Sequence, residues 1–212
     1  MILLTGFEPF GGANFNPSWA AAQAAATALT DAGQPATAVV LPVEFGAAAD
    51  ALRHELAAGK YGLVLAVGQA GGRTGLSLER VAINVDDARI PDNAGNSPVD
   101  QPVVPGGPAA YFSTLPVKAC LRALGRAGIP AEVSQSAGTY VCNHVFYALM
   151  HAVAAEPGVR AGFIHVPHAP EQAADAGRPS MEVAVMARGL EIIARTSLST
   201  VTDIKLGAGA TH

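Results

Sequence analysis

Cys142 is the side chain of this sequence best suited to nucleophilic chemistry. It follows a turn of small residues, Ser136 to Gly138, and precedes Val145, Leu149 and Val153, whose regular spacing predicts a helix beginning near Cys142. The free N–H groups and positive dipole end of a helix N-terminus favour the thiolate, which is the attacking form of cysteine. Free cysteine is also among the most buried residue types, so the local sequence is equally consistent with a core residue.

A cysteine nucleophile needs a general base, and His165 and His168 are the candidates among six histidines. The other four lie in an early helix, in the C-terminal tail or out of phase with Cys142 on its own helix: His54, His212, His144 and His151. His165 interrupts the apolar run 162–167 near the end of a predicted strand, where open α/β sheets bind their ligands. Such a histidine either acts in a site or is hydrogen-bonded in the core, and the structural role is the commoner one.

A third group that orients the histidine is best supplied by Glu79. Glu79 is a lone acid on an alternating apolar stretch, 76–85, where an unpaired carboxylate would be costly to bury. The same alternation also allows a solvent-facing position for this side chain. Asp86 and Asp87 are adjacent acids at the end of the stretch, and we expect them to be solvated.

Three other patterns are weaker. The loop from Gly6 to Gly12 lacks the Lys-Ser/Thr pair of a phosphate loop, and the loop 68–75 lacks the glycine spacing of a dinucleotide site. A zinc site would need converging ligands from Cys142, His144, His165 and His168. His165 and His168 flank a proline in extended chain and point to opposite faces, so we expect no metal site.

Composition sets broad limits on function. The chain has 212 residues, 50% of them hydrophobic, which predicts a single domain over 1–212 with a flexible tail from about 205. A net charge of −4 without a basic cluster argues against nucleic acid or an anionic membrane surface as partner. Two cysteines indicate a reducing compartment, and the N-terminus lacks the basic region of a signal peptide. No apolar run is long enough for a membrane span, so we expect a soluble, cytoplasmic protein.

Alternating strands and helices must position these side chains. Strands are predicted at 2–5, 37–43, 63–67, 76–85, 131–134 and 161–166, and helices at 17–29, 47–58, 109–127, from 142 onward and at 180–195. Asn16 before Pro17 is a good N-cap and first-turn pair. The alternation predicts an α/β protein with a partly parallel sheet, and the long Pro/Gly-rich stretch 88–108 is expected to line a site or an interface.

Several blocks, in matching order, resemble the pyroglutamyl peptidase I (pyrrolidone-carboxylate peptidase) family of cysteine peptidases. They are Thr5–Gly12 with Asn16-Pro17, Gly68–Arg73, Glu79–Asn84, Ala88–Asn93, Ser136–Asn143, Gly162–Pro167 and Pro170–Gln172. The resemblance implies removal of an N-terminal pyroglutamyl (5-oxoprolyl) residue from peptides, without metal or cofactor. It also implies an α/β/α sandwich with a twisted, mixed sheet, and a homotetramer in the cytosol.

The resemblance also assigns roles by position. Cys142 is implied as the nucleophile, His165 as general base and acid, and Glu79 as the group that orients the imidazole. The implied substrate pocket comprises Phe7, Phe10, Asn16, Gln69, Arg89, Ile90, Tyr140 and Val141. Tyr140 stands where relatives carry phenylalanine and His168 where they carry tyrosine, so His168 receives no role, and Cys120 is expected in the core. A related amidase acting on another small cyclic amide and an inactive binding protein are the alternatives.

Overall fold

The computed structural model describes residues 1–173 and 177–209. In chain order the elements are β1 (Ile2–Phe7), α1 (Pro17–Asp31), β2 (Ala36–Leu41), α2 (Ala47–Ala58), β3 (Leu63–Gln69), β4 (Leu76–Glu79), β5 (Val81–Ile83), β6 (Ala110–Phe112), α3 (Val117–Arg126), β7 (Ala131–Ser134), α4 (Val141–Val153), β8 (Arg160–Val166), α5 (Pro170–Ala173) and α6 (Val183–Ser199). Of the predicted tail, 205–209 carries no helix or strand, and 210–212 lies outside the described residues.

Six strands form one mixed sheet in the order β2-β1-β3-β8-β4-β7. Neighbouring strands are parallel except β4 and β8, which are antiparallel. One hydrophobic core lies between the sheet and helices α1, α3 and α6, and a second lies under α2 and α4. The central strands β1 and β3 read as nearly continuous apolar runs because helices cover both faces. This arrangement confirms the predicted α/β sandwich.

Helix α1 begins where the sequence predicts. The Asn16 side chain accepts the Ser18 N–H at 3.1 Å, and Pro17 occupies the first turn. The helix lies so close to β1 that a Cβ on Gly6 would come within 2.4 Å of Trp19 Cα. Glycine at residue 6 therefore allows helix α1 to pack this close to β1.

Two predicted elements are wrong in part. The predicted strand 76–85 is two strands in different sheets, because the backbone of Arg80 donates to Ser134 O on one side and accepts from Ser113 N on the other. The predicted helix 109–127 begins only at Val117, since 110–112 pairs with β5 as strand β6. The short helix α5 has no periodic pattern that predicts it. Among the described residues, no helix has the length and apolarity to cross a membrane.

Candidate active site

The structure brings Glu79 and His165 into direct contact. His165 Nδ1 and Glu79 Oε1 are 2.7 Å apart, with the carboxylate fully buried and the imidazole 4% exposed. The antiparallel pairing of β4 with β8 causes this contact, because it sets Ser77 opposite His165 and places Glu79 on the same face of the sheet. Nδ1–H donates to the carboxylate, which leaves Nε2 as the basic nitrogen. Glu79 therefore does not occupy the solvent-facing position that its sequence also allowed.

Cys142 lies over these strands from the first turn of α4. A Cβ built on Gly68 would be 2.9 Å from Cys142 Sγ, and Gly68 is the register partner of His165 in the β3–β8 pairing. The first turn is held by Asn143, a fully buried residue whose amide exchanges hydrogen bonds with the backbone of Ile83 at 3.1 and 2.9 Å. The thiol thus lies at the end of β3, beside the strand that carries His165.

Substitution of Gly68 by alanine is expected to displace the Cys142 thiol. The kcat of any reaction in which this thiol is the nucleophile should fall about 100-fold, because small displacements of reacting groups have effects of that size. The new Cβ would lie 2.7 Å from the Phe163 ring and 2.9 Å from Cys142 Sγ, so the thiol must move. Steady-state kinetics and a thermal melt test this prediction. Gly125→Ala is the control, since a Cβ there meets no atom within 4 Å. Wild-type turnover in Gly68→Ala would contradict the placement of the thiol.

The prediction that the helix N-terminus favours the Cys142 thiolate is wrong. Burial raises the pKa of the thiol to about 12, and the nearby Glu79 carboxylate acts in the same direction while Arg73 opposes it. Desolvation and a negative neighbour therefore outweigh the helix dipole. Both causes favour the thiol over the thiolate, so attack by Sγ needs a base that takes its proton.

Arg73 balances the charge of the buried Glu79 carboxylate, a role that the sequence pattern around Arg73 did not indicate. Its guanidinium lies 3.4 Å from Glu79 Oε1 and 3.2 Å from Glu132 Oε1. Ser77 Oγ donates to the same Glu132 oxygen at 2.9 Å. The only sequence signal for Arg73 was its place at the end of the Gly68–Arg73 block.

A small cavity with a volume of about 60 Å³ opens beside the Cys142 thiol. Its lining is Phe7, Phe10, Asn16, Val43, Gln69, Tyr140, Val141 and Cys142. Six predicted pocket residues are among them, and Val43 is the member that the sequence did not suggest. Arg89 and Ile90 do not line the cavity, and Ile90 is 51% exposed. The structure therefore assembles the aromatic and amide side chains but leaves the 89–90 pair at the surface.

Two polar side chains hold the cavity walls. Glu8 Oε1 accepts from Val43 N at 3.1 Å and from Asn93 Nδ2 at 2.8 Å, so it joins the first loop to the wall. The Tyr140 hydroxyl donates to Pro91 O at 3.0 Å, which fastens the exposed 88–98 segment to the start of α4. This bond gives a role to the hydroxyl group that distinguishes Tyr140 from phenylalanine.

Asp92 fixes the backbone of that segment. Its carboxylate accepts from Phe45 N, Ala94 N and both Asn96 N and Nδ2, at 2.7–3.0 Å. Burial alone would raise the pKa of Asp92, but the hydrogen bonds from Asn96, Phe45 and Ala94 hold it below its usual value. A depressed carboxyl pKa stabilises the fold above the unfolded-state pKa, and that stabilisation is lost as pH falls through the folded-state value.

Asp92→Asn is therefore expected to cost about 2 kcal/mol of unfolding free energy at pH 7, because its amide group faces N–H donors. That loss corresponds to a decrease in Tm of about 4–8 °C for a chain of this size. The difference from wild type should begin to narrow below about pH 4, where Asp92 of the unfolded chain takes up a proton, and should narrow further as the pH falls toward the lower folded-state pKa. Thermal melts from pH 3 to 7 test this, with the exposed Asp87→Asn as control. A difference that is constant with pH would contradict it.

Asp86 and His144 form a second buried pair, which corrects the expectation that Asp86 is solvated. His144 Nδ1 lies 2.7 Å from Asp86 Oδ2, and Asp86 is only 5% exposed. His144 Nε2 accepts the Gly46 N–H at 3.1 Å, so both ring nitrogens are occupied. His144 cannot serve as a free base. Asp87 is exposed as expected.

The zinc alternative finds no support in the geometry. Across 1–173 and 177–209, no three histidine, cysteine or acidic side chains are grouped to hold a metal ion. Cys120 is buried near Ile193 O and Ser197 Oγ, at 3.8 and 3.7 Å, and burial raises its pKa to about 11. Cys120 is thus a core residue, and Cys142 is the thiol that meets the cavity.

Comparisons with known proteins agree with this geometry. A model of the pyroglutamyl peptidase family matches residues 1–200. The chain is 56% identical to the pyrrolidone-carboxylate peptidase of Streptomyces coelicolor and 55% identical to that of Klebsiella pneumoniae, over its whole length and 99% of each relative. The crystal structure of pyroglutamyl peptidase I from Bacillus amyloliquefaciens superposes with a TM-score of 0.89 at 44% identity, covering 97% of this chain and 98% of that one. The chain therefore belongs to the pyroglutamyl peptidase family.

Proposed function

We propose that the protein is a cysteine peptidase that removes an N-terminal pyroglutamyl residue from peptides. The observation that carries the proposal is the position of Cys142, which both lines the small cavity and lies beside the strand of His165. A thiol, a base and an orienting carboxylate within one site are the parts that nucleophilic acyl transfer needs. No metal or cofactor takes part in the proposed reaction.

The reaction begins with attack of Cys142 Sγ on the carbonyl that joins pyroglutamate to the next residue. His165 Nε2 takes the thiol proton as the C–S bond forms, and Glu79 stabilises the resulting imidazolium. We propose that the first-turn N–H groups of α4, which lack intrahelical partners, bind the tetrahedral oxyanion.

The second half of the reaction reverses these proton transfers. Collapse of the intermediate breaks the C–N bond, and His165 gives its proton to the leaving amine. His165 then takes a proton from water, whose oxygen attacks the thioester carbonyl. Free pyroglutamate leaves, and the Cys142 thiol regains its proton.

The cavity suits a small, flat and uncharged ring. Within the described part of the chain, none of its lining side chains is Lys, Arg, Asp or Glu. Phe7, Phe10, Tyr140 and Val141 supply the apolar walls for the lactam ring, while Gln69 and Asn16 supply hydrogen-bonding amides. An acidic or basic first residue would have to bury an unpaired charge there. Arg89 and Ile90 are proposed to contact the substrate from outside the cavity, beside Pro91.

A panel of arylamides tests the proposal. The protein should hydrolyse pyroglutamyl-arylamide and should act on prolyl- and glutamyl-arylamides at least about 10³-fold more slowly, since a site built to bind a polar group rejects analogues that lack it. A higher kcat/KM for another cyclic amide would support the amidase alternative. Absence of hydrolysis of all of them would support an inactive binding protein.

We further propose a single domain over 1–212 that acts as a homotetramer in the cytoplasm. Support comes from family membership and from the two free cysteines, which suit a reducing compartment. Light scattering of the purified protein tests the assembly, and a monomeric mass would contradict it.

A further inference from the structure

Gln172 lies in the short helix α5, outside the cavity lining, and contacts Gln69, which is part of that lining. Gln172 Nε2 donates to Gln69 Oε1 at 3.2 Å and to Phe15 O at 3.2 Å. Its Oε1 accepts the Ala169 N–H at 3.0 Å. The three bonds connect α5 to the loop before α1 and to the end of β3.

The two backbone partners fix the orientation of the Gln172 amide. A backbone carbonyl can only accept and a backbone N–H can only donate, so Phe15 O requires the NH₂ group and Ala169 N requires the oxygen. If the Gln172 amide were flipped, its oxygen would face the Phe15 carbonyl oxygen, acceptor against acceptor. Its NH₂ group would face the Ala169 N–H, donor against donor. The group that Gln172 presents to Gln69 is therefore a donor.

This orientation determines which end of Gln69 remains available. Gln69 must turn its Oε1 toward Gln172, and among the described residues its Nε2 donates no hydrogen bond. In a cavity that accepts a lactam, a free N–H group matches the ring carbonyl rather than the ring N–H.

We propose that Gln172 is a positioning residue that determines specificity by locking Gln69 as a donor to the ring carbonyl of the substrate. This inference rests on the proposed peptidase function. Gln172 touches neither the cavity nor the thiol, and it acts through Gln69 alone. Its loss should weaken substrate binding more than turnover.

Gln172→Glu is the sharpest test, because a carboxylate of the same shape can accept from Ala169 N–H but cannot donate to Gln69 or to Phe15 O, and Gln172→Met loses the same two donors without adding a charge. Gln69 would rotate to donate to it and would present Oε1 to the ring carbonyl. We expect KM for pyroglutamyl-arylamide to rise about 100-fold at pH 8, with kcat changed much less, since the ring carbonyl of the substrate would face an acceptor and lose its hydrogen bond. The exposed Gln23→Glu is the matched control and should behave as wild type.

The pH dependence separates this role from a merely structural one. Protonation of the carboxyl of Gln172→Glu restores a donor, so its KM relative to wild type should recover at least about 10-fold between pH 8 and pH 5. The ionisable groups around this contact are His168 and Glu171 along the chain, Cys142 in the cavity lining shared with Gln69, and His165 on the strand paired with β3. Both proteins carry all four, so the ratio removes their contribution. Gln172→Met should raise KM by a smaller factor that does not vary with pH.

Each outcome decides the inference. A KM for Gln172→Glu within about 2-fold of wild type at pH 8, or a rise that does not vary with pH, would overturn it. If Gln172→Glu fails to melt cooperatively, an unchanged KM in Gln172→Met would overturn it instead. A wild-type protein that does not hydrolyse pyroglutamyl-arylamide would refute the proposed function itself, whereas an active wild type with an unaffected variant refutes only the role of Gln172.

Discussion

Cys142→Ala is expected to lower hydrolysis of pyroglutamyl-arylamide by at least about 10⁴-fold, because removal of a nucleophile leaves only the contribution of binding and positioning. The fold should persist, since the change removes one sulfur at the first turn of α4 and keeps the Asn143 bonds to Ile83. Activity and thermal melts of the same preparation measure both effects.

The second cysteine provides the control. Cys120→Ala should keep wild-type kcat and KM while losing about 1 kcal/mol of unfolding free energy through the small cavity left in the core. Substantial turnover by Cys142→Ala would contradict the proposed mechanism, as would a comparable loss of activity in Cys120→Ala.

Glu79→Gln is expected to lower turnover and to raise the reactivity of the Cys142 thiol. Turnover should fall about 10²–10⁴-fold, because the neutral amide no longer stabilises the imidazolium of His165 and does not enforce its tautomer. Alkylation of Cys142 by iodoacetamide should become faster, because the Glu79 carboxylate is one of the causes that raise the pKa of that thiol.

A thermal melt separates an electrostatic role from general damage to the site. Because burial also raises the pKa of Cys142, a distorted site would expose the thiol and speed its alkylation too, so the two effects must occur in a variant that melts like wild type. Glu132→Gln, which changes the other carboxylate that contacts Arg73, is the matched control, and it should leave turnover within about 3-fold of wild type. Unchanged turnover in Glu79→Gln would refute the assigned triad.

Much of this site could be predicted because its signals are local. The small-residue turn and the apolar spacing after it placed the start of α4 within one residue of Val141. A polar residue inside an apolar strand identified Glu79 and His165 as unusual, and the family resemblance gave each a role. The sheet order and the antiparallel β4–β8 pairing bring Glu79 and His165 together. Neither property can be predicted from the sequence of either strand alone.

The properties that the sequence did not predict correctly have a common physical cause, since each depends on a residue that is distant along the chain. Asp86 looked solvated beside Asp87, but helix α4 brings His144 against it. Cys142 looked like a thiolate from its helix position, but burial beside Glu79 raises its pKa. Val43 gave no local signal, and Gln172 only its place in the Pro170–Gln172 block, because the cavity wall and its support form only when separate loops meet.

The most direct test of the central claim counts alkylated thiols and residual activity together. The protein is treated with increasing iodoacetamide, and mass spectrometry gives the fraction of Cys142 and of Cys120 modified at each step while hydrolysis of pyroglutamyl-arylamide is measured. We predict that activity falls in proportion to modified Cys142, reaches background when that residue is fully alkylated, and is unaffected by excess chelator. Turnover that survives complete alkylation of Cys142, or that chelator alone abolishes, would contradict a metal-free peptidase that acts through this thiol.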